Sequence, residues 1–377
     1  MDQKRMNNNR HWIISVIILA VIAFAIGLTG SASAMEGALL NRISIISTVA
    51  STVPANGDVN PYGVAIVERS VGNLKKGHIF VSNFNNSLNQ QGTGTTIVDV
   101  GPDGSTSLFA QIDAGDLPGS CPGGVGLTTA LVVLRSGWVI VGSLPTADGS
   151  AATAQAGCLI VLDNMGNPVE TISGPPINGP WDMVAYETGH EATLFVTNVL
   201  NGTVAANGDI VNGGTVVRMN LEILKDTLPS VESMMVIGSG FPERTDPDAL
   251  VIGPTGVGIS PDHKKLYVAD SLANRIAVIE DPFTRTDSAG IGLTLTSGGT
   301  LNDPLGLAVV LGGNILTVNG NDGFITEITP QGKQIAHTLL DNTGSPPGAG
   351  TLFGLAFNPS KGLYFVDDGT NTLNLLH

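Results

Sequence analysis

Asparagine and aspartate recur at one kind of place in this chain. Asn83, Asn198, Asp270, Asn319 and Asp367 each close a short apolar run: HIFVSN, TLFVTN, LYVAD, ILTVN and LYFVD. Oxygens at equivalent positions of a ring could ligate a hard cation. Such residues also cap the turn that follows a strand through their own side chains, and that structural role is the reading adopted. Few other residues could carry a reaction. There is no G-x-S-x-G elbow, H-E-x-x-H helix, C-x-x-C pair or phosphate-binding loop. His190-Glu191 lacks its second histidine, and Gly72 to Gly77 is followed by His78 where a phosphate loop needs lysine. The six histidines, at 11, 78, 190, 263, 337 and 377, are scattered, so a Ser-His-Asp set would have to be assembled by the fold.

The elements that position these residues form a repeat. Its clearest copy is Gly253 to Asp281, GPTGVGISPDHKKLYVADSLANRIAVIED, with β-runs at Gly256 to Ser260, Leu266 to Ala269 and Arg275 to Ile279. A Ser-Pro-Asp turn joins the first two, and a polar turn containing Asn274 joins the last two. Equivalent units begin at Pro61, Pro122, Pro180, Asp303 and Leu352. The unit after Leu352 lacks an outer strand, while Ile43 to Val49 is a β-branched run with no partner of its own. Pairing the two closes a ring and removes an open sheet edge. The expectation is an all-β, six-bladed β-propeller whose N-terminal strand joins the last blade.

Composition agrees with many short strands, since 49 of 377 residues are glycine and only 13% are charged. Lys4, Arg5 and Arg10 precede the uncharged run Trp12 to Leu28 and then Ser31-Ala32-Ser33-Ala34. That pattern predicts a cleaved secretory signal over 1–34 and a single propeller domain over 35–377; the alternative is an uncleaved anchor. The mature protein would be exported, periplasmic or secreted. Net charge is -15, which disfavours nucleic acid and anionic membrane surfaces as partners, leaving a protein or a small molecule. Cys121 and Cys158 can pair in an oxidising compartment; two separate buried thiols are the alternative.

LYVADSLANRIAVI resembles the NHL and YVTN propeller repeats, with LFVTNVLNG and IFVSNFNNS as looser copies. SPDHKKLYVADS also resembles gluconolactonase-like propellers, which implies a metal held by acid or amide side chains just before the glycine that opens each inner strand. The matching residues here are Tyr62, Trp181, Thr255, Leu305 and Phe353, with Gly123 or Gly124 in the second unit. None is a carboxylate, although Asp182 and Asp303 lie one or two positions away. Tyr62, Trp181, Asp182, Thr255, Asp303, Leu305 and Phe353 therefore form the candidate ligand site, an aromatic and aliphatic channel mouth without a metal.

Long connections at Asn85 to Gly94, Leu144 to Gly157 and Val199 to Gly214 would crowd the same face. The reading is an exported, non-catalytic propeller that binds a protein or small organic ligand there, with no cofactor. The alternative is a metal-dependent lactonase- or lyase-type enzyme, for which calcium is the candidate ion.

Overall fold

A computed structural model describes residues 37–377 apart from 226 and 248. The expected signal, 1–34, lies outside the described residues. Among the described residues, strands form six antiparallel sheets, five of four strands and one of five. These are the blades of a six-bladed β-propeller. The inner strands are Val59–Ile66, Leu127–Val133, Gly179–Thr188, Pro254–Ile259, Pro304–Val309 and Leu352–Asn358.

Burial falls from the axis outward within a blade, and residue type follows it. In blade one the second strand, Ile79–Asn85, is buried along its whole length, whereas the outer strand, Thr106–Gln111, is mostly exposed. Faces of adjacent blades pack apolar side chains together: Ile140 and Leu159 of blade two share a cluster with Leu194, Val217 and Met219 of blade three. Each such side chain contributes about 1.5–3 kcal/mol by leaving water. No long helix is needed.

Closure is by the N-terminus. Ile46–Ser51 pairs with Thr372–Leu376, Ile46 opposite Leu376 and Ser51 opposite Thr372, and Thr48 Oγ1 donates to Asn374 Oδ1 at 2.9 Å. The strand starts three residues later than the run Ile43 to Val49 suggests. The amides of Arg42 and Ile43 instead bond back to Leu39 O in a 3-10 turn, which Glu327 Oε2 anchors by accepting from Leu40 N at 2.9 Å.

Blades two and three depart from the simple repeat. Residues 121–126 do not begin the inner strand of blade two: they turn, with Gly123 N bonded to Ala156 O at 2.9 Å and Cys121 joined by a disulfide to Cys158. In blade three the outer strand, Ser230–Asp246, is 17 residues long and pairs with a fifth strand, Leu250–Ile252. That extension carries Ala249 to Ile252 onto the axis.

Candidate functional site

The end of the channel where the inner strands begin is closed. Tyr62 stacks on Phe353 with ring centroids 3.9 Å apart and on Phe84 at 4.4 Å, and Trp181 stands 6.5 Å from Tyr62. Tyr62, Trp181, Leu305 and Phe353 share one buried cluster with Leu250, Val251 and Ile252, and Trp181 Nε1 donates to Val251 O at 3.1 Å. Thr255 is fully buried, its hydroxyl 2.8 Å from Ser271 Oγ and 3.1 Å from Pro304 O. The expected open aromatic mouth is therefore a packed plug. Large apolar side chains converging on an axis gain more by excluding water than by lining a pore, and the blade-three extension covers them.

Beside the plug lies a polar cleft of about 280 Å³. Arg244 and Asp246 come from the blade-three extension, Asn302 and Asp303 from the approach to Pro304, and Asn321 from the turn after the second strand of blade five, with Leu305 and Phe353 also in its wall. Asp303 is held at φ 60°, an uncommon conformation for a residue other than glycine. Two contacts fix it there: Asn274 Oδ1 accepts from Asp303 N at 3.1 Å, and Gly320 N donates to Asp303 O at 2.7 Å. Asn371 treats Asn60 in the same way at the junction of the last and first blades, at 2.7 Å. In these two turns the asparagine thus positions the chain entering the next blade.

Gly320 leaves room for the carboxylate: a Cβ there would stand 2.8 Å from Asp303 Oδ2 and 2.9 Å from Leu305 Cδ1. Burial pushes the Asp303 carboxyl up to about 6, with the nearby Asp246 charge adding to the rise and Arg244 opposing it. Arg244 Nη2 bonds Asp246 Oδ2 at 3.3 Å. A carboxylate that titrates close to neutrality, next to a guanidinium and amide groups, is equipped to take a proton and to steady developing negative charge.

Asp182 is elsewhere. It lines an axial cavity formed by the later residues of the inner strands, and its Oδ2 accepts from Val257 N at 3.1 Å. Burial pushes its carboxyl up to about 7. Of the residues singled out in sequence, Asp303, Leu305 and Phe353 meet in the cleft, Tyr62, Trp181 and Thr255 sit in the plug, and Asp182 belongs to a different cavity. Arg244 and Asp246 were missed because they lie on a strand extension with no counterpart in the repeat; the charged string Glu243-Arg244-Thr245-Asp246 in a chain with few charges was the available signal.

No family model matches the chain, and no curated protein matches it. Solved structures do. A gluconolactonase from Xanthomonas campestris superimposes with a TM-score of 0.53 at 13% identity, over 88% of this chain and 88% of that one. Regucalcin from Agrobacterium tumefaciens, described as a calcium-binding protein, gives 0.54 at 12% identity, over 86% and 94%. Virginiamycin B lyase from Staphylococcus aureus gives 0.51 at 12% identity, over 88% and 98%.

Likeness at this identity shows the six-bladed fold. The structures that share this fold include proteins named as a gluconolactonase and a lyase, which overturns the expectation of a non-catalytic binding propeller. A calcium ion does not fit the residues present. Calcium takes six to eight oxygens, yet among the described residues no group of three or more Asp, Glu, His or Cys side chains converges. In the cleft Asn274 Oδ1 already accepts from Asp303 N, Asn302 Nδ2 points to Asp322, and the Arg244 guanidinium occupies the side of Asp246.

Proposed function

We propose that the chain is an enzyme of the lactonase or lyase class that acts on a small organic molecule in the Asp303 cleft. One observation carries this reading: a carboxylate held in a strained backbone conformation, pushed up to about 6, faces a concave polar cleft beside a guanidinium. Uncommon backbone conformations and perturbed carboxyls both cluster at functional sites. The names of the solved structures support the class. The resemblance of the repeats to the NHL and YVTN families adds the scaffold, and the N-terminal pattern adds export of the mature chain.

For a lactone, ionised Asp303 takes a proton from a water molecule as its oxygen attacks the carbonyl carbon. Negative charge on the carbonyl oxygen is met by Arg244 and by the amide group of Asn321. The ring C–O bond then breaks, and the departing alkoxide takes the proton back from Asp303, leaving a hydroxy acid. In a lyase, the same carboxylate would take the proton from carbon while the leaving group departs. General base catalysis of this kind is worth about 10²–10⁴-fold.

The test is a panel of sugar-derived and aliphatic γ- and δ-lactones, with acid release followed by a pH indicator. Asp303→Asn is expected to lose at least about a hundredfold in kcat/KM with its thermal midpoint kept or raised, since the substitution also removes a buried charge. Turnover equal to wild type in that variant would overturn the role of Asp303, and none by wild type on any lactone would overturn the lactonase reading.

A further inference from the structure

The glycine near the start of an inner strand is forced by the neighbouring blade. An added Cβ at Gly256 would stand 2.2 Å from Leu305 O, one at Gly306 would stand 1.8 Å from Phe353 O, and one at Gly354 would stand 2.1 Å from Tyr62 O. Blade three has Asp182 in that position: Pro180-Trp181-Asp182 stands where Pro254-Thr255-Gly256 stands in blade four, with the same irregularity after the proline. Its carboxylate reaches across to Val257 N of the next blade, at 3.1 Å. Four blades carry glycine at this position, Gly63, Gly256, Gly306 and Gly354, blade two carries none, and blade three carries an acid.

Asp182 forms part of the wall of a cavity of about 500 Å³ that all six inner strands line. The volume lies in the range of small-molecule sites. Most of the wall is aliphatic, including Val64, Leu131, Val184, Ile259, Leu307 and Leu355, and no lysine or arginine lines it. Glu68, Tyr186 and His263 are the other ionisable lining residues; Glu68 is mostly exposed and stands 3.6 Å from Arg135, and the Tyr186 and His263 rings pack together at 4.3 Å. Asp182 is only 8% exposed. A buried carboxylate met only by the backbone amides of Met183 and Val257, with no Lys or Arg in the cavity wall, is costly to keep, and its cost is removed by a cation that brings N–H donors and an apolar body.

We propose that the axial cavity binds an elongated apolar molecule ending in a primary or secondary ammonium group, with the ammonium on Asp182 and the hydrocarbon against the aliphatic wall. The chain's net charge of -15 favours the approach of a cation. This site is distinct from the Asp303 cleft, since the two share no lining residue.

Calorimetry at pH 8 with 4-phenylbutylammonium, 4-phenylbutanol and 4-phenylbutyrate on the same protein tests it. The ammonium is expected to bind one to one and at least about tenfold more tightly than the alcohol, with no binding of the carboxylate. Asp182→Asn should bring the ammonium down to the level of the alcohol, whereas Asp303→Asn should leave it unchanged. Equal affinities for ammonium and alcohol, a preference that survives Asp182→Asn, loss of binding in Asp303→Asn, or no ammonium binding to the wild type would each overturn the proposal.

Discussion

Replacing Asp182 with asparagine should stabilise the protein, and the gain should depend on pH. The carboxyl titrates at about 7 in the folded chain against an ordinary value of 3.8, with burial the leading cause. Its folded form therefore binds a proton more tightly than its unfolded form does. Below pH 4 both states hold the proton, and Asp182 carries no penalty. As pH rises from about 4 to 7 the unfolded chain gives up the proton while the folded chain keeps it, so stability falls across this window. Above pH 7 the penalty is complete. At roughly 1.4 kcal/mol per pH unit, the gap between the two values corresponds to at most about 4 kcal/mol. Asparagine keeps an oxygen for Val257 N and has no charge to bury. Urea titrations of wild type and Asp182→Asn at pH 4 and pH 8 should show near-equal stability at pH 4 and a more stable variant, by up to about 4 kcal/mol, at pH 8. Glu243, which burial pushes up to about 7, and Asp303 slope the wild-type curve in the same direction, but they cancel in the difference between the two proteins. A difference that is the same at both pH values would refute the argument.

Deleting residues 38–51 should open the last blade, exposing the Thr372–Leu376 edge and leaving Glu327 without the Leu40 amide; sedimentation should then show self-association, and a monomeric, equally stable variant would contradict strand closure. Elemental analysis of the purified protein and melts with and without EDTA should show no stoichiometric calcium and no change in midpoint, whereas one tightly held ion per chain would show that the cleft's side chains do hold calcium.

The ring was legible because most blades repeat the same chemistry: a β-branched run ends in Asn or Asp in five of the six, and a polar turn follows it, whereas blade two ends the run at Gly142-Ser143. The spare strand near Ile46 was legible from a count of strands. The site was less so. Tyr62, Trp181 and Phe353 have the composition of a ligand pocket, but the same residues make a core when another segment covers them, and that segment, Ala249 to Ile252, belongs to a strand extension outside the repeat. Asp182 and Asp303 are close to equivalent in sequence yet serve different cavities, because one replaces the glycine of the bulge and the other precedes the proline.

The pH dependence of kcat/KM for lactone hydrolysis tests the central claim most directly. If Asp303 is the base, activity must require its ionised form, so kcat/KM should rise tenfold per pH unit below about 6, flatten above it, and lose that limb in Asp303→Asn. A profile that is flat across pH 5 to 7, or a limb that persists unchanged in the variant, would place the chemistry on another residue.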